Sequence, residues 1–256
     1  RGDFRPMTMP LVRSTKGNKL LASVQPHARE FFEQCAEVRE LKAGEVLYEE
    51  GAPVTHAIFP HEGVISLISQ MESGHSVEKS SIGPEGFVGF SLIMGGGETL
   101  GRSVVQIGGT AAWVSMEDLD VALERFVCVR QFMLRYAKAH IVQLMETVAC
   151  NSLHSAEQRV VRWLLHAHDR VASDRFHITQ EAIASLLALR RATVNAICID
   201  LMEAGAISYH RGEMNVVRRD ILEQRSCECY RRIRIASERP LGGTATTFEA
   251  REVGPF

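Results

Sequence analysis

Residues 178–207, ITQEAIASLLALRRATVNAICIDLMEAGAI, decide the fold of this chain. Thr179 suits the N-cap of a first apolar helical pattern, because its hydroxyl can accept a hydrogen bond from a backbone N–H of the first turn. A second apolar pattern starts at Arg191 and runs to Gly205, a residue type that readily takes the left-handed conformation after a helix. The stretch therefore predicts two short helices joined by a tight turn, with Arg190 and Arg191 at the start of the second.

The next segment, AISYHRGEMNVV (206–217), predicts a β-hairpin, since Arg211-Gly212-Glu213 separates two short strand patterns. Helix, turn, helix and β-wing in this order form a winged helix-turn-helix, whose second helix enters the DNA major groove by its N-terminal residues. There arginine can bind guanine and asparagine can bind adenine through paired hydrogen bonds, or an arginine can hold phosphate instead. The alternative is a solvated helix start with arginines placed by chance. The predicted DNA contacts are Thr179, Gln180, Arg190, Arg191, Thr193, Asn195, His210 and Arg211.

The chain upstream has a different pattern, typical of short strands. Residues 40–116 alternate β-branched and polar residues between glycine-rich turns, which predicts an antiparallel β-roll of the jelly-roll kind. Residues 26–38 predict one short helix opened by Pro26, and ASDRFH (172–177) predicts a turn. The fold class is α+β, and the predicted divisions are a poorly ordered leader (1–24), a sensor domain (25–125), a long helix (126–153), a winged helix-turn-helix domain (154–238) and a flexible tail (239–256).

The long helix carries an apolar seam in steps of three and four residues, which is the pattern of helices that pair. We expect it to pair with the same helix of a second chain; the alternative is a core helix packed only on its own barrel. A polar residue near its end would help to set the register. The predicted dimerisation residues are Leu134, Ala137, Ile141, Leu144, Val148 and Asn151.

The composition limits the partners. The net charge of −2 excludes a global basic field, so any DNA contact must come from a local patch. No apolar run of membrane-spanning length and no secretory signal pattern is present, which argues against a membrane partner.

Six scattered cysteines without a C-x-x-C pair fit a reducing cytoplasm. No metal site is expected from Cys227 and Cys229, because no second pair lies nearby in sequence. No catalytic motif occurs, so an enzyme is not expected.

The order of parts over residues 25–235 resembles the CRP/FNR superfamily of bacterial transcription regulators. The most specific match is ITQEAIASLLALRRATVNAICIDLMEAGAIS; IGPEGFVGF, CNSLHSAEQRVVRWLLHAHDRV and CECYR resemble one subgroup. The resemblance implies a cytoplasmic homodimer that binds a palindromic operator, works with RNA polymerase and reads DNA with a helix from Arg191 to Ala204. Ala192 replaces the family's usual glutamate and Ala196 a frequent arginine, so the target sequence should differ. The alternative is an effector-binding module that acts through protein contacts instead of DNA.

The resemblance also implies a ligand loop. In members that bind cyclic nucleotides, a Gly-Glu-Leu segment leads to Arg-Ser or Arg-Thr, the glutamate holding ribose and the arginine phosphate. The matching residues here, the candidate ligand contacts, are Gly89, Phe90, Ser91, Arg102 and Ser103. Phe90 leaves a ribose hydroxyl unpaired, at a cost of about 1–3 kcal/mol. A cyclic nucleotide is therefore not favoured, and another small ligand or none stays open. Cys35 alone cannot supply an iron–sulfur cluster, and no haem is expected.

Overall fold

The computed structural model describes residues 17–242, which contain an N-terminal β-rich domain, a long central helix and a C-terminal helical domain. The helices are α1 Lys19–Ser23, α2 Pro26–Cys35, α3 Met116–Arg125, α4 Val127–Leu153, α5 Ala156–His168, α6 Gln180–Leu186, α7 Arg191–Glu203, α8 Arg219–Arg225 and α9 Glu228–Gly242, with a 3₁₀ helix at Phe90–Met94. The strands are β1 Glu37–Leu41, β2 Val46–Tyr48, β3 His56–Pro60, β4 Val64–Gln70, β5 Ser76–Ile82, β6 Arg102–Ile107, β7 Gly109–Ser115, β8 Arg175–His177, β9 Ile207–His210 and β10 Glu213–Val216.

The N-terminal domain is an antiparallel roll made of two sheets. One sheet has the strand order β1-β7-β3 and the other β2-β6-β4-β5. The fully buried rings of Phe32, Phe59, Phe87 and Phe132 join α2, the strands and the first half of α4 into one core. This arrangement confirms the predicted α+β class and the antiparallel β-roll.

The N-terminal segment differs from the prediction. Asn18 caps α1 by accepting hydrogen bonds from the backbone N–H groups of Leu20 and Leu21, and both leucines are fully buried. The part of the predicted leader from residue 19 onward is therefore packed structure, while residues 1–16 lie outside the described part. The helix predicted for 26–38 ends at Cys35, because Glu37 begins a strand that pairs with β7.

The other end also differs from the prediction of a flexible tail. α9 continues through the first four residues of the predicted tail and ends at Gly242. The rest of that tail, residues 243–256, lies outside the described part. Within residues 17–242 no single helix has the length and apolar composition of a membrane span. Helices α6 and α7 have that length and composition only when they are counted together across the 118° bend between them.

In the C-terminal domain, three strands form a sheet in the order β8-β10-β9 beside α5–α8. The segment ASDRFH was predicted as a turn, but Arg175–His177 is strand β8 because it pairs with β10, His177 opposite Glu213. α5 starts with a capping box in which Ser155 and Gln158 exchange side-chain and backbone hydrogen bonds.

The two domains are joined by buried polar contacts at β5. The Arg170 guanidinium, with 5% of its side chain exposed, pairs with Glu85 at 2.6 Å and donates from Nη1 to Ser81 Oγ at 2.6 Å. Trp163 Nε1 of α5 donates to Glu78 Oε2 of β5 at 3.3 Å, and burial raises the pKa of that carboxyl. The C-terminal domain therefore rests directly on a strand of the β-roll.

Candidate nucleic-acid interface

The paired helices α6 and α7 meet at 118° across a short turn. Ala188 makes this turn with a φ of +50°, in the left-handed region. Val194, Cys198 and Leu201 bury the inner face of α7 against the domain core. The outer face of the helix start is consequently free to meet a ligand, as the helix-turn-helix prediction requires.

The predicted reading residues lie on that outer face. Arg190 is the N-cap position of α7 and Arg191 its first residue, and both are exposed, as is Asn195 one turn further on. Arg191 Nε lies 3.7 Å from Glu181 Oε2, and both side chains are about 70% exposed. So open a pair is weak and can be exchanged for a contact with DNA. Thr193 is half-buried at the edge of this face.

Thr179 and Gln180 are occupied within the domain. The Thr179 hydroxyl accepts a hydrogen bond from Ala182 N–H and so caps α6, as predicted from the sequence. The Gln180 backbone N–H donates to the Tyr209 hydroxyl of β9 at 3.2 Å. The Gln180 backbone contact ties the start of α6 to strand β9 of the wing.

The wing presents two of the predicted contacts. Arg211 and Gly212 have φ values of +50° and +87°, the combination of a two-residue type I′ hairpin. Glu213 was predicted to be part of the turn but pairs with His210 in the strand register. Arg211 is exposed at the tip and His210 beside it.

The five candidate ligand residues do not line one pocket. Gly89, with a φ of +108°, starts the 3₁₀ helix, and the Phe90 ring turns inward, 4.8 Å from the His140 ring of α4. Arg102 pairs with Glu49 at 3.0 Å, and Ser103 is fully buried. An open depression of about 500 Å³ lies on the loop of residues 95–101, here called the glycine loop. Of the five candidate ligand residues, only Ser91 lines this depression. Its lining residues are Pro53, Ser91, Met94, Gly96, Gly97, Glu98 and Leu100.

One face of α4 is apolar and exposed. Leu134, Ile141 and Val148 of the predicted seam lie on it, Asn151 is also exposed, and Leu144 is half-buried. Ala137, in contrast, is 5% exposed and packs in the core of its own β-roll, which removes it from the predicted seam. The exposed large apolar residues of α4 are Val127, Leu134, Ile141, Met145, Val148 and Leu153.

A further group of side chains was not connected by sequence reasoning. Cys150 of α4 and His154, the residue that follows this helix, lie beside Cys227 and Cys229, and their potential ligand atoms are all within 4.8 Å of one another. The hydrogen bond from the Cys150 thiol lowers the pKa of Cys227, while burial raises the pKa of Cys229. The four-residue spacing of Cys150 and His154 was a signal present in the sequence, and in the structure the His154 backbone N–H bonds to Cys150 O at the end of α4.

Comparison with known proteins gives a family. Residues 38–123 match the model of the cyclic nucleotide-binding domain, and residues 158–225 match that of the Crp-like helix-turn-helix domain. A β-roll of this type followed by this winged helix-turn-helix defines a DNA-binding transcription regulator, not an enzyme. The chain belongs to the CRP/FNR superfamily of transcription regulators, which confirms the resemblance seen in the sequence.

Solved structures with the same fold include FixK2 from Bradyrhizobium japonicum, with 16% identity and a TM-score of 0.64 over 75% of this chain and 98% of that one. Another is TTHB099, a CRP-family transcriptional regulator from Thermus thermophilus, with 18% identity and a TM-score of 0.60 over 73% of this chain and 96% of that one. No curated protein matches the chain.

Proposed function

We propose that the protein acts in the cytoplasm as a homodimeric, sequence-specific regulator that binds a palindromic operator and works with RNA polymerase. The exposed start of α7, flanked by the wing, carries this proposal. Two copies joined along α4 would present two recognition helices to half-sites about 34 Å apart, one turn of DNA. The sequence preference would come from Arg190, Arg191 and Asn195.

The local charge supports DNA binding despite the net charge of −2. Arg190 and Arg191 lie at the helix start and Arg211 at the wing tip, and all three are exposed. Dimer symmetry doubles this patch. Because such contacts release counterions from DNA, affinity should fall steeply as salt is added.

The sensor domain is proposed to transmit a signal other than a cyclic nucleotide held in the family's usual way. Phe90 stands where the ribose-binding carboxylate is expected and packs on His140. Arg102, the expected phosphate ligand, is paired with Glu49, and a phosphate bound there would have to replace this carboxylate. The glycine-loop depression is the place where another small ligand would be sought.

The test starts with selection of bound fragments from genomic DNA, followed by fluorescence anisotropy on the selected site. Arg191→Ala should weaken binding by about fivefold to 150-fold, because a paired contact with a base is worth about 1–3 kcal/mol. Arg191→Lys separates the two kinds of contact: lysine keeps a phosphate contact but loses the paired guanine contact, so binding should persist with less sequence preference.

The matched control is Arg39→Ala, which also removes an arginine paired with an acidic residue, Glu37, but in the sensor domain. It should leave the affinity unchanged. Absence of binding to every DNA pool at low salt would contradict the proposal and favour the protein-contact alternative. An equal loss of affinity in Arg39→Ala and Arg191→Ala would also count against it.

A further inference from the structure

Three cysteines and one histidine converge where the end of α4 meets the start of α9, away from the exposed start of α7. Cys150 Sγ lies 3.6 Å from Cys227 Sγ, and Cys229 Sγ lies 3.7 Å from His154 Nδ1. A zinc ion bound to sulfur at about 2.3 Å in a tetrahedron holds its ligand atoms about 3.7 Å apart. The Cys150–Cys227 distance matches this sulfur–sulfur edge, and all four donor atoms lie within 4.8 Å of one another.

The chain brings the four donors together from two directions. Cys150 lies in the last turn of α4, and His154 is the residue just after the helix. The backbone N–H of His154 bonds to Cys150 O, which holds the two residues close together. Cys227 and Cys229 lie on either side of Glu228, the first residue of α9. All three cysteines are buried and together form a small core cluster, so a bound ion would be enclosed by protein.

The histidine is oriented as a ligand by its neighbour. His154 Nε2 lies 3.3 Å from Glu228 Oε2, which can accept its proton. That hydrogen bond leaves the Nδ1 lone pair directed at the cysteines. Metal-bound histidines usually have such a carboxylate or carbonyl partner on their second nitrogen, which fixes the ring and its tautomer.

The charged groups at the cluster are of both signs: the Glu146 carboxylate interacts with Cys229, and a buried arginine interacts with the other two cysteines. Arg162 is 5% exposed and interacts electrostatically with both Cys150 and Cys227. Its Nε has no hydrogen-bond partner among the described residues. Three thiolates around one divalent cation carry a net charge of −1, which a buried guanidinium can balance, whereas three buried thiolates without a cation would be strongly disfavoured.

We propose that Cys150, His154, Cys227 and Cys229 form a closed four-ligand site for a thiophilic divalent cation, Zn²⁺, with Glu228 as the group that orients His154. Zinc prefers this Cys₃His set in sites that stabilise structure. The ion would fasten α9 to the end of α4 next to Ser155, where the chain passes from the central helix to the C-terminal domain. The site is independent of the DNA-binding proposal, because its test involves no DNA.

The experiment uses the full chain purified without chelators and measures zinc by mass spectrometry. We expect one zinc per chain, a fall in Tm on removal by a strong chelator, and recovery on adding Zn²⁺. Replacement with Co²⁺ should give the visible bands of tetrahedral cobalt and a near-ultraviolet sulfur-to-cobalt transition. Cys227→Ser and Cys229→Ser should lose the metal, while His154→Cys should retain it in a four-cysteine site.

Two further variants guard against misfolding and general thiol effects. Glu228→Gln changes a half-exposed residue and should weaken zinc affinity about tenfold to a hundredfold. Cys198→Ser, at a buried cysteine of α7 outside the cluster, should keep the full zinc content. Wild-type protein with substoichiometric zinc and no tetrahedral cobalt spectrum would overturn the proposal, as would stoichiometric iron or a Cys150–Cys227 disulfide in the purified protein.

Discussion

At the scale of the single residue, the turn of the helix-turn-helix depends on an alanine in an unfavourable conformation. Ala188 takes a φ of +50°, where the β-carbon of an L-residue is crowded at a cost of about 1–2 kcal/mol. Its backbone N–H still bonds to Ser185 O at 3.3 Å and the next N–H, of Leu189, to Ala184 O at 2.8 Å. The surrounding contacts therefore hold Ala188 in place.

We expect Ala188→Gly to stabilise the protein by about 0.5–1 kcal/mol, because glycine takes this conformation freely but has more freedom to lose from the unfolded chain. The measurement is the Tm in thermal unfolding. Ala204→Gly is the matched control: Ala204 is the cap residue just after α7 and has a φ of −71°, so no strain is relieved there and Tm should not rise. An unchanged or lower Tm for Ala188→Gly would show that the turn is not strained.

The sequence predicted the caps of these helices but not this residue. Thr179 and Gly205 have the expected roles, because a cap depends on local chemistry that the residue types carry. The left-handed position falls on Ala188 because helices α6 and α7 must cross at the angle set by their buried faces. That constraint is tertiary, and the residue type gives no sign of it.

At the scale of the element, α4 has two faces with different partners. Tyr136 and His140 face the β-roll, where His140 Nε2 lies 3.3 Å from Ser80 Oγ and its ring packs on Phe90. Burial, with the charge of Arg170 adding to it, lowers the pKa of His140 to about 4. Protonating this ring would place a charge inside the contact between helix and sensor domain.

This shift has a pH dependence of definite sign. The pKa of His140 is lower in the folded state than the value near 6.5 expected for the unfolded chain, so its contribution to stability is complete above pH 6.5 and is lost as pH falls towards 4. The full loss is about 3 kcal/mol. His140→Leu should therefore make Tm fall less steeply between pH 6.5 and 4.5.

The control for the pH series is His75→Leu, which removes an exposed histidine and should leave the slope unchanged. Buried His166, whose pKa is lowered well below its usual range by burial, contributes a slope of the same sign in every variant. Parallel Tm curves for wild type and His140→Leu would refute the assignment to His140.

Helix pattern alone could not say which face of α4 meets which partner. The periodicity predicted an apolar seam, but Ala137 of that seam packs inside its own domain while Met145, outside it, is 68% exposed. Steps of three and four residues identify apolar positions, and the β-roll packed on one side decides which of them remain open. The sequence did not predict the cluster of Cys150, His154, Cys227 and Cys229 for a similar reason. Its two halves are separated by 73 residues or more and meet only through the packing of α4 on α9.

At the scale of the whole molecule, the open apolar face of α4 supports the proposed pairing of two chains. Leu134, Met145 and Val148 are each more than 60% exposed on one helix. An exposed stripe of large apolar residues at helical spacing is typical of a surface that another helix covers.

We expect Val148→Glu to dissociate the dimer at micromolar concentration, because pairing would bury an unpaired charge. Val148 is 68% exposed, so folding of the single chain should be unaffected. Sedimentation would report the mass, and affinity for a full palindrome should fall tenfold or more while half-site affinity persists. Val121→Glu, at a 44% exposed valine of α3, is the control. A dimer that survives Val148→Glu would place the interface elsewhere.

The buried contacts of Arg170 with Glu85 and Ser81 affect how a signal passes between the sensor domain and the winged helix-turn-helix domain. The Arg170 guanidinium is only 5% exposed and is held by Glu85 and Ser81. The sensor domain and the winged helix-turn-helix domain are therefore joined by this buried contact. A ligand that shifts strand β5 must therefore also shift the contact with the winged helix-turn-helix domain. Binding of operator DNA to that domain must in turn shift β5. By thermodynamic reciprocity, an effector could then be found by asking which small molecules bind more tightly once the operator is in place.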